Sequence, residues 1–264
     1  MKAYDFRYGD KTLSSFGLVV CNFDDVGLNI VSNGSTITFN TVSTLGGSKF
    51  ELVNTTYDDC LTTTFQICKY SCSSGIDEIS PTTFRELTRW LNRKKFLKFK
   101  PLSEEYKDLY FEASFNISRI EIDGKLYGLE LEVITNRPFA LKEPKIFNIK
   151  NIQYYGKHSI NDVSDEEGHI YPYTEITINE GGDLEIYNAI EDRTTSIKNC
   201  VVGEVITMDY PIIQSSISSH NVCDDFNWNF FRIANTYENS RNDITISIPC
   251  TMKVKYSPIV KVGL

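Results

Sequence analysis

The stretch DITISIPCTMKVKY, residues 243–256, decides the fold class. Ile244, Ile246, Ile248, Cys250, Met252, Val254 and Tyr256 alternate with polar residues without a break. A period of two places apolar side chains on one face of a pleated strand. The pattern predicts one long strand, or two joined at a bend. Pro249 falls on the outward phase, and because proline cannot donate to a ladder it predicts an edge strand or a bulge.

Further strands flank turn dipeptides. Asp123-Gly124 separates FEASFNISRIEI from KLYGLELEVI, and Gly181-Gly182 separates TEITIN from DLEIYNAI. Both dipeptides supply the positive φ angles of tight hairpins, so two hairpins are predicted, each strand with one core face and one wet face. Gly46-Gly47 reads as a turn. One segment breaks the β pattern: SPTTFRELTRWLNRKKFLKFK, residues 80–100, with seven Lys or Arg against one Glu. Ser80 suits an N-cap, Pro81 the first helical position, and Phe84, Leu87 and Leu91 fall on one stripe with Trp90 beside it. A helix over 81–93 is predicted, passing into a strand near Leu97.

Composition agrees with a mainly β chain. The 264 residues are rich in Thr, Ile, Val, Tyr and Phe and poor in Ala, which favours pleated, half-buried surfaces. That length allows two domains with cores of their own. Two prolines, Pro138 and Pro144, frame an aperiodic stretch at 136–151, which sets the predicted boundary: residues 1–145 and 146–264. The polar stretch 156–172 reads as an irregular loop. The first part holds 18 basic and 19 acidic side chains and the second 9 and 16, within a net charge of -8. Polyanion binding draws most of its affinity from phosphate neutralisation, so this balance argues against a nucleic-acid reader.

Chemistry leaves few signals. The seven cysteines, Cys21, Cys60, Cys68, Cys72, Cys200, Cys223 and Cys250, form no C-x-x-C pair and read as small buried hydrophobes in a reducing compartment. There is no secretory segment and no membrane-length apolar run. None of the nucleophile-elbow, zinc-protease, phosphate-loop or dinucleotide motifs occurs. His158, His169 and His220 stand apart in sequence, and the first two read as solvated loop residues. Adjacent acids such as Asp24-Asp25, Asp58-Asp59 and Asp224-Asp225 point to opposite faces of a strand, which makes them poor glycosidase pairs and good turn residues. No catalytic residue, metal ligand or cofactor is assigned.

Two surfaces are candidates. FNWNFF, residues 226–231, read as a strand, puts Phe226, Trp228 and Phe230 on one side and Phe231 on the other. Core packing is the main reading, with Trp228 and Phe231 as possible sugar contacts on a carbohydrate-binding β-sandwich. The helix offers Arg89, Trp90, Arg93, Lys94 and Lys95 for contact with protein neighbours, against a reading as a docked structural helix with a solvated basic face.

The opening YDFRYGDKTLSSFGLVVCNFD, the Pro-initiated helix, the aromatic strand YFEASFNISRIEI and the strand GLELEVITNRPFA occur in an order that resembles the distal tail protein (Dit) family of long-tailed bacteriophages. FNWNFFRIANTYENSRNDITISIP is similar to the family's C-terminal domain, although Ala234-Asn235 stands where members often carry a glycine before the Asn. The resemblance implies two β-sandwich-like domains: an N-terminal one with a single packed helix that forms a hexameric ring, and a galectin-like C-terminal one. The last strand, in SPIVKVGL, is implied to return to the first domain. The implied role is structural and non-enzymatic, joining the tail tube to the tail tip or baseplate at the virion tail tip. Implied partners are five further copies, the tail tube protein, the tail-tip or baseplate hub and a receptor-binding protein. DNA would only pass through the channel, assembly would occur in the bacterial cytoplasm, and no membrane insertion is implied. The alternative is a monomeric carbohydrate-binding β-sandwich protein.

Overall fold

A computed structural model describes residues 3–21, 36–43, 47, 49–70 and 78–262. The chain is mainly β and folds as two compact units, Met1–Leu141 with Lys261–Leu264, and Lys142–Val260. The acid pair Asp24-Asp25, Cys72 and Gly46 lie outside the described residues.

In the first unit an antiparallel sheet runs in the order Lys11–Thr12, Phe6–Tyr8, Leu97–Pro101, Leu109–Ile122, Lys125–Thr135, Thr62–Lys69, Leu18–Cys21. The Val20 amide at its far edge donates to the Tyr4 carbonyl at 3.0 Å, so the segment leading into the Phe6–Tyr8 strand also meets the opposite edge strand. The hairpin at Asp123-Gly124 forms as the dipeptide predicts, with φ of 50° and 74°, the left-handed pair a two-residue turn requires. An aromatic cluster fills the unit. The Phe6 ring centroid lies 5.7 Å from Phe65, 5.7 Å from Trp90, 5.4 Å from Phe99 and 5.7 Å from Phe115.

The second unit is a sandwich of two antiparallel sheets. One has the order Lys145–Asn151, Cys250–Tyr256, Tyr173–Ile178, Val205–Asp209, Ile212–Ser215; the other Gly156–Asn161, Arg241–Ile246, Gly182–Asn188, Arg193–Cys200. Ile160, Ile176, Ile186, Ile197, Ile206, Ile246, Met252 and Val254 are among the buried residues of its core. The 243–256 stretch takes the bent alternative. Arg241–Ile246 belongs to one sheet and Cys250–Tyr256 to the other, each between two neighbours. Pro249 therefore marks neither an edge strand nor a bulge but the crossing from sheet to sheet. Its missing N–H costs no ladder bond there, and its carbonyl accepts from the Asn179 and Glu180 amides at 3.0 and 3.3 Å.

Three other expectations change. Gly181-Gly182 does not close a hairpin: Tyr173–Ile178 and Gly182–Asn188 lie in different sheets, so this connection is a second crossing. A glycine pair allows a tight turn but cannot say whether its strands pair or part. The 136–151 stretch contains the strands Ala140–Lys142 and Lys145–Asn151, and the loop at 156–172 begins with the strand Gly156–Asn161, paired to Arg241–Ile246. Polar residues on the outward phase of these strands masked the period.

The crossings are built from satisfied polar groups. Asn151, 1% exposed, donates through Nδ2 to the carbonyls of Ile246 and Ile248 at 3.3 and 2.7 Å, and its Oδ1 meets His158 Nε2 at 3.1 Å. Ser247 Oγ donates to the Asp183 carbonyl at 2.9 Å and accepts from the Glu185 amide at 2.7 Å. A buried carbonyl left without a donor costs about 1–3 kcal/mol, so the side chains of Asn151 and Ser247 make the bend affordable.

Candidate assembly surface

The helix spans Pro81–Leu91. Ser80 Oγ accepts from the Thr83 amide at 3.2 Å, capping the first turn. The helix ends at Leu91 rather than 93 because Asn92 leaves helical geometry, with ψ of 89°, and its Nδ2 donates to the Phe115 carbonyl of the sheet at 3.2 Å. Leu87, Trp90 and Leu91 are buried. Phe84 is half-buried, with the Arg119 guanidinium 4.4 Å above its ring.

The five helix candidates part company here. Trp90 is 6% exposed, its Nε1 donates to the Tyr8 carbonyl at 2.9 Å, and its ring stacks on Phe16 and Phe6 at 4.9 and 5.7 Å. It is a core residue and presents nothing to a partner. Arg89, Arg93, Lys94 and Lys95 are exposed. Arg93 Nε donates back to the Trp90 carbonyl at 3.2 Å, and no carboxylate among the described residues pairs with any of the four. Phe96, 45% exposed, follows them.

A second exposed surface has no counterpart in the reading of the sequence. Ile37–Ser43 and Phe50–Tyr57 pair with each other, and with no further strand among the described residues. Ile37, Phe39, Val42, Phe50, Leu52 and Val53 all stand in solvent, Phe39 at 63% and Phe50 at 67%. Polar cross-strand bonds hold the ribbon, Asn40 Nδ2 to Asn54 Oδ1 at 2.8 Å and Thr38 Oγ1 to Asp58 Oδ2 at 2.5 Å. A lone two-stranded ribbon is marginal in water, and large exposed apolar patches mark interaction sites. The signal in the sequence was the pair of Thr-, Val- and aromatic-rich runs on either side of Gly46-Gly47.

The sugar-contact pair also separates. Phe231 is 3% exposed, and Phe226 and Phe230 are buried, while Trp228 is 58% exposed. The segment is no strand: Trp228 adopts a φ of 60°, and Asn227 Oδ1 accepts from the Asn229 amide at 3.0 Å. A tight local turn thus replaces the two-sided strand, sending three of its aromatic rings inward and leaving Trp228 outside.

One buried polar cluster went unread. Glu204, 0% exposed, accepts through Oε1 from Ser215 Oγ at 2.5 Å and meets His220 Nδ1 at 2.6 Å, while its Oε2 accepts from the Val201 amide at 2.9 Å. His220 Nε2 lies 3.1 Å from Asp225 Oδ2. Burial pushes the His220 pKa down, but the hydrogen bonds and charges of Glu204 and Asp225 outweigh it and raise the value above the ordinary one. Burial pushes Glu204 up, and its Ser215, Val201 and His220 partners outweigh that and hold it below the usual range. The cluster ties the 201–204 connection to the end of the Ile212–Ser215 strand and to the segment that follows it, which makes it a fastener.

Comparison with known proteins gives family matches for both parts of the chain and matches among solved structures. Residues 1–137 match the family model described as phage tail protein N-terminal domain, and residues 139–256 match the phage tail C-terminal domain. No curated protein matches the sequence. Among solved structures, the crystal structure of the SPP1 Dit protein, described as a paradigm of the hub adsorption apparatus in phages infecting Gram-positive hosts, superposes with a TM-score of 0.66 at 7% identity. The match covers 97% of this chain and 99% of that one; at such identity it speaks for the fold alone.

Proposed function

Since the chain belongs to the phage tail protein family, its two domain models together spanning nearly all of it, and carries a Dit-like fold, we propose that it assembles as a ring of six copies joining the tail tube to the tail tip or baseplate. The ring forms through the Met1–Leu141 unit, and the Lys142–Val260 unit anchors receptor-binding proteins. The work is structural, done by interfaces without catalysis, at the tail tip of the virion after assembly in the bacterial cytoplasm. Tail DNA passes through the channel without being held. No helix among the described residues is long and apolar enough to cross a membrane.

The observation that carries this reading is the ribbon of Ile37–Ser43 and Phe50–Tyr57, whose Ile37, Phe39, Val42, Phe50, Leu52 and Val53 side chains are exposed. Repetition of a head-to-tail contact around a closed ring would bury each ribbon against the next copy. The four exposed cations after Thr88 supply a flank of opposite character for a neighbouring copy or the tail tube protein.

Mass measurement in solution over a concentration series tests it. The chain should grow toward six copies, and Phe39→Asp with Leu52→Asp should remain monomeric while keeping its circular dichroism spectrum. A strict monomer at high concentration would overturn the ring. The second reading, a monomeric sugar-binding sandwich, rests on the exposed Trp228 ring, and would be favoured by a monomer whose Trp fluorescence responds to host-wall glycans and loses that response in Trp228→Ala.

A further inference from the structure

We infer that Cys21 and Cys68 are a redox site: in oxidising surroundings they close to an intramolecular disulfide that clamps the edge strand of the first unit's sheet to its neighbour. Read from composition, both are small buried hydrophobes. In the fold both are only half-buried, while Cys200 and Cys250 do lie in the core.

Strand register brings the two together. Leu18–Cys21 and Thr62–Lys69 run antiparallel, with Val19 opposite Cys68 and Cys21 opposite Gln66. Directly opposed residues share a face of the sheet, as do residues two apart on one strand. Cys21 and Cys68 are therefore diagonal neighbours on one face. It is the outer face, since Ile67, on the other phase, is fully buried, and a small oxidant can reach it. Diagonal pairs stand ~7–8 Å apart at Cα, at the upper limit of what a disulfide spans. Two features close the difference. The Cys21 thiol hydrogen-bonds to Cys68, so the sulfurs already meet. Cys21 is also the last residue of an edge strand with one neighbour in the sheet, so the backbone shift that completes the bond disturbs a single ladder.

The oxidant is a low-molecular-weight disulfide, and the exchange balances. Burial, then the hydrogen bond and charge of Cys68, push the Cys21 thiol up, so Cys21 is the second of the pair to ionise. Cys68, as thiolate, attacks the small disulfide, forming a mixed disulfide and releasing one small thiolate. Cys21 then gives its proton to solvent and attacks Cys68 Sγ, forming the Cys21–Cys68 bond and releasing the second thiolate. The two protein thiols are oxidised and the small disulfide is reduced to two thiols. A reducing glutathione pool holds such a pair open. Closure encloses residues 22–67, the stretch that carries the ribbon of Ile37–Ser43 and Phe50–Tyr57. The strands from which that excursion leaves and to which it returns are then joined covalently, and the unfolded chain loses the freedom of a long loop.

The purified full chain, reduced and then freed of reductant, is incubated with oxidised glutathione near the ordinary thiol pKa of ~8.5. Remaining thiols are alkylated, and the unreduced digest is mapped by mass spectrometry. Most molecules should yield a peptide pair joined through Cys21 and Cys68. Their thermal midpoint should rise by at least ~5 °C and return on adding dithiothreitol. Cys21→Ser and Cys68→Ser should each lose the link and the shift while matching the reduced wild type in circular dichroism. The site is overturned by a folded wild-type chain that forms no such link, that keeps glutathione on either residue, or that links through the exposed Cys60 or Cys223 instead. A link formed without any rise in midpoint overturns the clamp. Both sulfurs belong to one subunit, so the outcome does not depend on ring or tail assembly.

Discussion

Trp90 and Arg93 stand three residues apart, one in the last turn of the helix and one just past its end, and do opposite work. Trp90 is fixed by its Nε1 bond to Tyr8 and by two stacked rings. Trp90→Ala should therefore cost about 3–5 kcal/mol in denaturant unfolding, where a surface residue costs under ~0.5. Reversing Arg93 and Lys94 to Glu should leave that midpoint in place and reduce the copy number per assembly. The Glu204–His220 contact sets a pH response. His220 is raised and Glu204 lowered, so the His contribution is complete below its unfolded pKa and fades as pH rises through the raised value. The Glu contribution fades as pH falls through its lowered value. Replacing His220 with Gln should cost about 2 kcal/mol near pH 6, with the gap to wild type closing as titration proceeds toward pH 9.

Among the elements, legibility followed the balance between local and distant causes. The Asp123-Gly124 hairpin and the start of the helix could be read because turn chemistry and the Ser-Pro cap act within a few residues. The sheet crossing at 247–249 could not, since a period of two reads the same on either side of a bend and only partners far along the chain say which sheet each half joins. Trp90 was misplaced for a related reason: a helix stripe shows its centre well and its shoulder poorly. The 37–57 ribbon escaped because its apolar residues face water, where pattern reading looks for a core. At Gly156 the backbone runs so close to Asn151 that an added Cβ would collide with that side chain's Oδ1. Since Asn151 is committed to the Ile246 and Ile248 carbonyls, Gly156→Ala should lower stability by about 1–3 kcal/mol, readable as a drop in the thermal midpoint of the second unit.

For the whole molecule, charge is divided unevenly. Lys142–Val260 holds 10 basic and 17 acidic side chains, a net of -7 of the chain's -8, which leaves -1 for the remainder. Neither unit offers the cationic excess that holds a polyanion. Fluorescence anisotropy with labelled duplex DNA at physiological salt should show no retention, even with all four helix cations intact.

The bend at Ser247-Ile248-Pro249 has a bearing on which insertions and deletions such a gene can accept. Ile244, Ile246, Ile248, Cys250 and Met252 keep one parity through the crossing, and all five are buried, so the two sheets share a single count of residues. One codon added there would turn the inward set of one sheet out to solvent. The same codon added at Glu191-Asp192, in the turn between Gly182–Asn188 and Arg193–Cys200, would disturb the Glu191–Arg232 ion pair and the Tyr187–Asp192 bond but leave the parity of both strands in place. Length variation in this domain should thus collect away from the bend, a pattern that a library of single-residue insertions scored for soluble yield would display directly.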